Sequence, residues 1–429
     1  MQIESTDAYL KRKHAELRLL NGCLRNPLPL AVPVSAADVI RQKFQLTATL
    51  KAEHALHDWA ATETDWAQSA QAHSGPFKFS YDYQRADLDV KGPSFYALDA
   101  DLRSETVYTA SGMAAISALL LASARVIDGG DILILPGSYG ETLELIECHA
   151  RHLRLVTINR SLEQAIASTT AFRILLLDSC APGRAFESIL RWKGPALDLL
   201  IFDTTCFSGY SGRVRRVLNW AGQRNIPVVM VRSHTKLDSL GAEYGRLGSA
   251  NFVHWRQNSC WAARSKLEAL PQETRNAVRL LGGAAVPAHF PPYVGAAAYR
   301  ELTNKRMAAI LHNSRRAGQY FAAVLADLTE ELRYTHGLYL TLSGETAFDE
   351  AGARRAAADM SEALAHAGLA IRHAGSFGFD FAAAEWFRAA TTDRYSVRIA
   401  VPDLPTLLWD ELTEAIARWW LKHQRKSIA

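Results

Sequence analysis

Cysteine is scarce in this chain. Its five cysteines, Cys23, Cys148, Cys180, Cys206 and Cys260, are odd in number, far apart and never in a C-x-x-C pair. That usage argues against a disulfide scaffold or a zinc knuckle, so no metal is expected, and it favours a reducing compartment. Long apolar runs are missing too. The longest, Met113 to Ala124, is too short for a bilayer span and stops at Arg125. Glu4, Asp7, Lys11, Arg12 and Lys13 precede any apolar run, so no secretory signal is visible. A cytoplasmic protein without a membrane partner is the expectation. Charge of one sign is also lacking: the net value is +4, and pairs such as Arg215-Arg216 and Arg315-Arg316 read as solvated helix faces. Nucleic acid is therefore not an expected partner. No internal repeat or low-complexity tract is evident.

What is present fits an ordinary globular protein, with 48% hydrophobic and 21% charged residues. Its 429 residues exceed the roughly 250–300 at which single cores stop growing, so two or three domains are expected. Residues 1–80 are helix-prone and charged, interrupted by Pro27, Pro29 and Pro33, with Trp59 and Trp66 placed for one helix face. They read as an N-terminal helical arm. Over 105–255, β-like runs (Thr106–Thr109, Asp131–Leu135, Leu153–Ile158, Arg173–Leu177, Leu199–Phe202, Val228–Val231) alternate with helical ones such as Met113–Val126 and Thr142–Ala150. Such alternation predicts an α/β domain, a mostly parallel sheet wrapped by helices, spanning 81–292. From 293 to 429, a helical stretch Gly295–Leu328, strands Leu338–Leu342 and Ser396–Val401, and a helix Thr406–Lys422 predict a smaller α+β domain.

In parallel sheets ligands sit at the carboxyl ends of strands, so residues directly after each run carry the weight. Ser111-Gly112-Met113-Ala114-Ala115 forms a small-residue turn into a helix, a place for a phosphate or simply a helix cap. Tyr139, in Pro136-Gly137-Ser138-Tyr139-Gly140, can lie on an aromatic ring or at the surface of a loop. Asp203 closes Leu199–Phe202, where a carboxylate needs a cationic partner such as a pyridinium, a metal or a helix end. Ser233-His234-Thr235-Lys236 follows the apolar run ending at Val231 and sets an amine beside two hydroxyls. That arrangement suits a lysine joined as a Schiff base to pyridoxal 5'-phosphate, with Ser233 and Thr235 as phosphate donors. Arg398, between Val397 and Ile399, is either a clamp for a substrate α-carboxylate or the partner of a structural acid, with Ser376 placed to assist. Taken singly each element is ordinary, but their order along the chain matches the needs of one cofactor.

These residues resemble the Cys/Met-metabolism family of pyridoxal-phosphate enzymes of fold type I, which includes cystathionine γ-synthase, cystathionine γ-lyase, cystathionine β-lyase and methionine γ-lyase. The resemblance rests on Tyr108–Ile116, on Gly130-Asp131 through Tyr139-Gly140-Glu141-Thr142, on Asp203-Thr204-Thr205, on Ser233-x-Thr235-Lys236 and on Ser376-Phe377-Gly378 with Arg398. It implies a seven-stranded, mostly parallel sheet, Ser111, Gly112 and Met113 at the phosphate, and Tyr139 stacked on the ring. It also implies that Tyr83 and Arg85 reach the phosphate of a neighbouring subunit, hence a homodimer or homotetramer with shared active sites. Three departures mark a diverged member, the first being an Asp203–Lys236 separation longer than the family usually shows. Asp178-Ser179-Cys180-Ala181-Pro182-Gly183 lacks the family's asparagine, and Leu237-Asp238-Ser239-Leu240-Gly241 follows the lysine in place of an aromatic-rich stretch.

The expected activity is γ-elimination or γ-replacement on an L-amino acid with a side-chain leaving group. Lys236 would hold the cofactor and move protons, Tyr139 assisting. β-Elimination, or binding of the cofactor without turnover, are the alternatives.

Overall fold

The computed structural model describes residues 4–55, 72–80, 88–158, 172–181, 183–191, 197–256, 260–281, 283–325, 337–344, 348–388 and 394–426. The chain divides into two compact units. One comprises Met1–Leu50, Leu240–Glu243 and Ala296–Ala429, the other Lys51–Ser239 and Tyr244–Gly295.

The second unit carries a small antiparallel sheet, β1 (Ala72–Ser74), β2 (Phe77–Ser80) and β3 (Asp89–Lys91), and a seven-stranded main sheet. The main strands are β4 (Leu102–Thr109), β5 (Gly130–Ile134), β6 (Leu153–Thr157), β7 (Phe172–Asp178), β8 (Leu199–Asp203), β9 (Val228–Ser233) and β10 (Gly248–Trp255). Their spatial order is β4-β10-β9-β8-β7-β5-β6, with β9 through β6 mutually parallel and β10 antiparallel to both neighbours. This is the expected α/β architecture. Strands Ile132–Ile134, Ile174–Leu177, Leu199–Phe202 and Val228–Val231 are continuous apolar runs because both faces of the sheet are covered, and none of these side chains is more than 2% exposed. The helix Gly112–Val126 lays Ala115, Ile116, Leu119 and Ala122 on the core and packs against the helix Leu270–Leu281.

β10 was not anticipated from the sequence. Its run Gly248-Ser-Ala-Asn-Phe-Val is broken by Ser249 and Asn251, yet both are buried. They are accommodated by hydrogen bonds: Ser249 Oγ with His234 Nε2 at 2.8 Å, and Asn251 Nδ2 to Thr106 Oγ1 at 3.1 Å.

The first unit holds a sheet of β11 (Tyr339–Leu342), β12 (Ile371–His373), β13 (Ala382–Arg388) and β14 (Tyr395–Ala400) in the order β11-β14-β13-β12. Helix Glu350–His366 packs on this sheet. Helix and β13 meet in alanines (Ala353, Ala356, Ala357; Ala382, Ala383, Ala384), whose weak strand preference hid β13 from sequence reading. Helices Ala297–Val324 and Thr406–Lys426 complete this unit, close to the bounds expected.

The N-terminal segment, expected as an arm over 1–80, is not set apart: Met1–Leu50 belongs to the unit of Ala296–Ala429. The reason is a buried ion cluster. Lys13 Nζ donates to Asp380 Oδ1 at 2.6 Å and also to Asp403 and Glu16. Arg12 donates to both oxygens of Asp403 at 2.7 and 2.8 Å. Lys43 Nζ reaches Glu16 Oε2 at 2.6 Å, and Arg306 reaches Asp380 Oδ1 at 2.9 Å. Lys13, Glu16 and Asp403 are fully buried. Despite burial, the surrounding cations hold Asp380 well below the usual carboxylate range and Asp403 below it too. Trp59 and Trp66 lie outside the described residues.

Removing one member leaves its partners charged and buried, which costs about 3–5 kcal/mol. Lys13→Ala is therefore expected to lower the unfolding free energy in urea by about that amount. Asp380 and Asp403 titrate lower folded than unfolded. Their contribution is present above the unfolded carboxylate pKa of about 4 and lost as pH falls below it, so the variant should show a shallower acid-unfolding slope.

Candidate functional site

Five chain segments converge at the carboxyl edge of the main sheet. After β4, Ser111 is extended and caps the following helix, its hydroxyl accepting from Ala114 N at 3.0 Å. Thr109 Oγ1 donates to the Ser111 carbonyl at 2.7 Å and fixes the turn. The N–H groups of Gly112 and Met113 open the helix, where no intrahelical acceptor exists and the dipole favours an anion. Two glycines let this turn lie close to the neighbouring strands. A Cβ on Gly112 would stand 3.0 Å from Ser233 Cβ, and one on Gly248 would stand 2.2 Å from the Ser111 carbonyl oxygen. Gly248 was missed from sequence, although a glycine opening a strand is the available signal.

Two carboxylates end adjacent strands: Asp178 of β7 is in register with Asp203 of β8. Asp203 Oδ1 accepts from Thr205 N at 2.8 Å, and Ser233 N donates to Thr205 Oγ1 at 3.1 Å. Asp178 accepts from Tyr139 N and from Cys180 N, both at 2.7 Å. A continuous line of contacts thus runs from Gly112 through Ser233, Thr205, Asp203 and Asp178 to Tyr139. Asp178 is buried, whereas Asp203 is partly exposed. Burial, then the neighbouring Asp203 charge, pushes Asp178 up to about 7. Burial also raises Asp203, opposed by its Thr205 hydrogen bonds and by Arg232. Among the described residues no ion pair neutralises Asp203.

Lys236 lies in the loop after β9, partly exposed. That loop is clamped beneath by Arg232, which donates to both oxygens of Asp238 at 2.7 Å and to the carbonyls of Thr204 and Phe207 at 2.7 Å. His234 joins Asp238 through Nδ1 at 2.7 Å, and Phe95 lies over its ring at 3.9 Å. Burial pulls Asp238 upward, but Arg232 and His234 hold it down at about 2. Burial keeps His234 below its ordinary value, outweighing Asp238. Neither Arg232, His234 nor Asp238 is among the site residues expected from sequence. Their signal was an arginine ending an apolar strand.

Of the expected site residues, Ser111, Gly112, Met113, Tyr139, Asp203, Ser233, Thr235 and Lys236 all lie at or just beyond the sheet's carboxyl edge. The Thr235 hydroxyl, expected as a phosphate donor, directs its single proton to Gly245 O at 3.1 Å. Ser376 and Arg398 belong to the other unit. Ser376 is buried, and Arg398 Nε donates to Glu385 Oε1 across the β13–β14 pair at 2.7 Å, so it has the structural acid that was its other reading. Tyr83 and Arg85 lie outside the described residues. Among the described residues no helix is long and apolar enough to cross a membrane, and no group of three or more His, Cys, Asp or Glu side chains is placed to hold a metal.

No protein-family model matches the chain, and no curated protein matches it. Among solved structures, it is similar to a cystathionine gamma synthase from Xanthomonas oryzae pv. oryzae in complex with aminoacrylate and cysteine. That similarity has 16% identity and a TM-score of 0.47 over 73% of this chain and 81% of the other. At that level it carries no weight for activity.

Gly248→Ala is expected to displace the Ser111 turn and to destabilise the protein by about 1–3 kcal/mol, measurable by thermal unfolding. Asp178 binds its proton more tightly folded than unfolded. Its burial therefore lowers stability progressively as pH rises from about 4 to about 7. Asp178→Asn should remove that slope in cofactor-free protein.

Proposed function

We propose that the second unit binds pyridoxal 5'-phosphate and that the chain is a lyase or transferase acting on an L-amino acid by γ-elimination or γ-replacement. The observation that supports it is the line of contacts from Gly112 through Ser233 and Asp203 to Tyr139, with Lys236 in the next loop. The residues fit the cofactor chemically. The helix opening at Gly112 and Met113, with the Ser111 and Ser233 hydroxyls, suits the phosphate. Asp203 is a partly exposed acid without a salt-bridge partner among the described residues, as a ring N–H requires. Bound there, the cofactor supplies an electron sink for charge developing at the substrate α-carbon.

The chain's own groups do the rest. Lys236 would hold the cofactor through its amine and, when that amine is free, would take the substrate α-proton and return it further along the side chain. Asp203 keeps the ring nitrogen protonated, and a cation there offsets the repulsion between the two carboxylates. Tyr139, its backbone fixed by Asp178, covers the ring face and assists proton movement. Ser376 and Arg398 are proposed to take the substrate carboxylate. Tyr83 and Arg85 are proposed to serve the phosphate of a second copy in a homodimer or homotetramer. β-Elimination uses the same groups. Binding without turnover is supported by one feature: Cys180 occupies the segment in which the resembled family places its asparagine.

Protein reconstituted with the cofactor should show visible imine absorbance that borohydride bleaches, leaving a covalent adduct at Lys236 by peptide mass. In Lys236→Ala both should vanish, and turnover of a panel of γ- and β-substituted amino acids should fall at least about 100-fold. A colourless reconstituted wild type would defeat the cofactor assignment. A coloured one inert to the whole panel would leave only binding.

A further inference from the structure

The loops leaving β7 and β8 each place a cysteine just beyond a strand-end aspartate. Because Asp178 and Asp203 are in register, both cysteines emerge at the same height of the sheet, and their sulfurs lie 3.1 Å apart. Neither loop is free to drift. Ser179 N donates to Asp203 O at 3.0 Å, Cys206 N to Ser179 Oγ at 3.0 Å, and Cys180 N to Asp178 Oδ1 at 2.7 Å. Among the described residues no other two cysteine sulfurs approach in this way. Both thiols are reduced in this structure.

We propose that Cys180 and Cys206 are a reversible dithiol–disulfide pair that responds to hydrogen peroxide. Cys180 is partly exposed and Cys206 is 3% exposed, so the oxidant meets Cys180 and Cys206 is the resolving thiol. The Cys180 sulfur attacks one peroxide oxygen, the O–O bond breaks, and a sulfenic acid and water form. The Cys206 sulfur then attacks the Cys180 sulfur, the S–O bond breaks, and a second water leaves. Peroxide is reduced to two waters, and the two thiols lose two hydrogens. Closing the gap from 3.1 Å to a bond of about 2.05 Å needs a shift of about 1 Å between loops already tied to each other. The contact with Cys206, burial and the two aspartates push the Cys180 thiol above its ordinary value. A pair without C-x-x-C spacing is compatible with a reducing compartment, where disulfides are transient and regulatory. The inference rests on sulfur and backbone geometry and does not require the cofactor.

The test treats the full-length protein with hydrogen peroxide, blocks remaining thiols with N-ethylmaleimide and maps peptides by mass without reduction. The expected result is one cross-linked species joining the Cys180 and Cys206 peptides, lighter by two hydrogens and released by dithiothreitol. It should be absent in Cys180→Ser. In Cys206→Ala, Cys180 should instead proceed to sulfinic acid. Circular dichroism establishes that each variant is folded, and the wild-type map stands without either. Recovery of both cysteines as maleimide adducts from treated wild type would overturn the proposal, as would over-oxidised Cys180 beside alkylated Cys206. Imine absorbance is not part of this readout, so loss of the cofactor assignment and loss of the redox pair are separate outcomes.

Discussion

Arg232 sets the geometry on which the whole site depends. Its fork grips both oxygens of Asp238 across a five-residue loop that contains Lys236, and its remaining nitrogen holds the carbonyls of Thr204 and Phe207. One fully buried guanidinium therefore registers the lysine loop against the loop that follows Asp203. Lysine could not replace it, because a single ammonium lacks the planar set of five donors. Desolvating that charge is tolerable because these four hydrogen bonds, two of them to a carboxylate, compensate it, and they leave the loop little freedom to wander.

Above this clasp the edge of the sheet gathers acidic groups. Two carboxylates sit side by side where burial favours the neutral form of each and the Asp203 charge raises Asp178 further. Two backbone N–H groups soften the charge on Asp178 without cancelling it. The proposed ring nitrogen at Asp203, if positively charged, would offset that repulsion. The glycines at 112 and 248 address the opposite sign a few ångströms along the same edge, bringing a helix opening close enough for its amides to meet an anion. A ligand with a cation at one end and a phosphate at the other answers both demands.

Much of this was legible in the residues, and what was missed has a common physical origin. Parallel strands and their terminal residues are written locally, as apolar runs followed by Ser111, Tyr139, Asp203 or Ser233, so they could be read. β10 escaped because Ser249 and Asn251 look polar until their distant partners, His234 and Thr106, are known. Arg398 admitted two readings, and only the cross-strand register with Glu385 supplies its acid. The grouping of the first helices with the C-terminal sheet was invisible for the same reason: Arg12 and Asp403 are 391 positions apart. The proximity of Cys180 and Cys206 likewise follows from strand register and not from spacing.

The ion cluster has a consequence for how the chain is made. Lys13 leaves the ribosome 367 residues ahead of Asp380, the earlier in sequence of its two acid partners in the C-terminal half. At about 5–20 residues per second, the helix Thr6–Asn21, which carries Arg12 and Lys13, waits tens of seconds for the C-terminal anions that complete its ion cluster. The helix Ala36–Ala55, which carries Lys43, waits for Asp380 in the same way. The segment that carries Lys13 is thus among the last parts of its unit to mature, because Asp380 and Asp403 follow it by 367 and 390 residues.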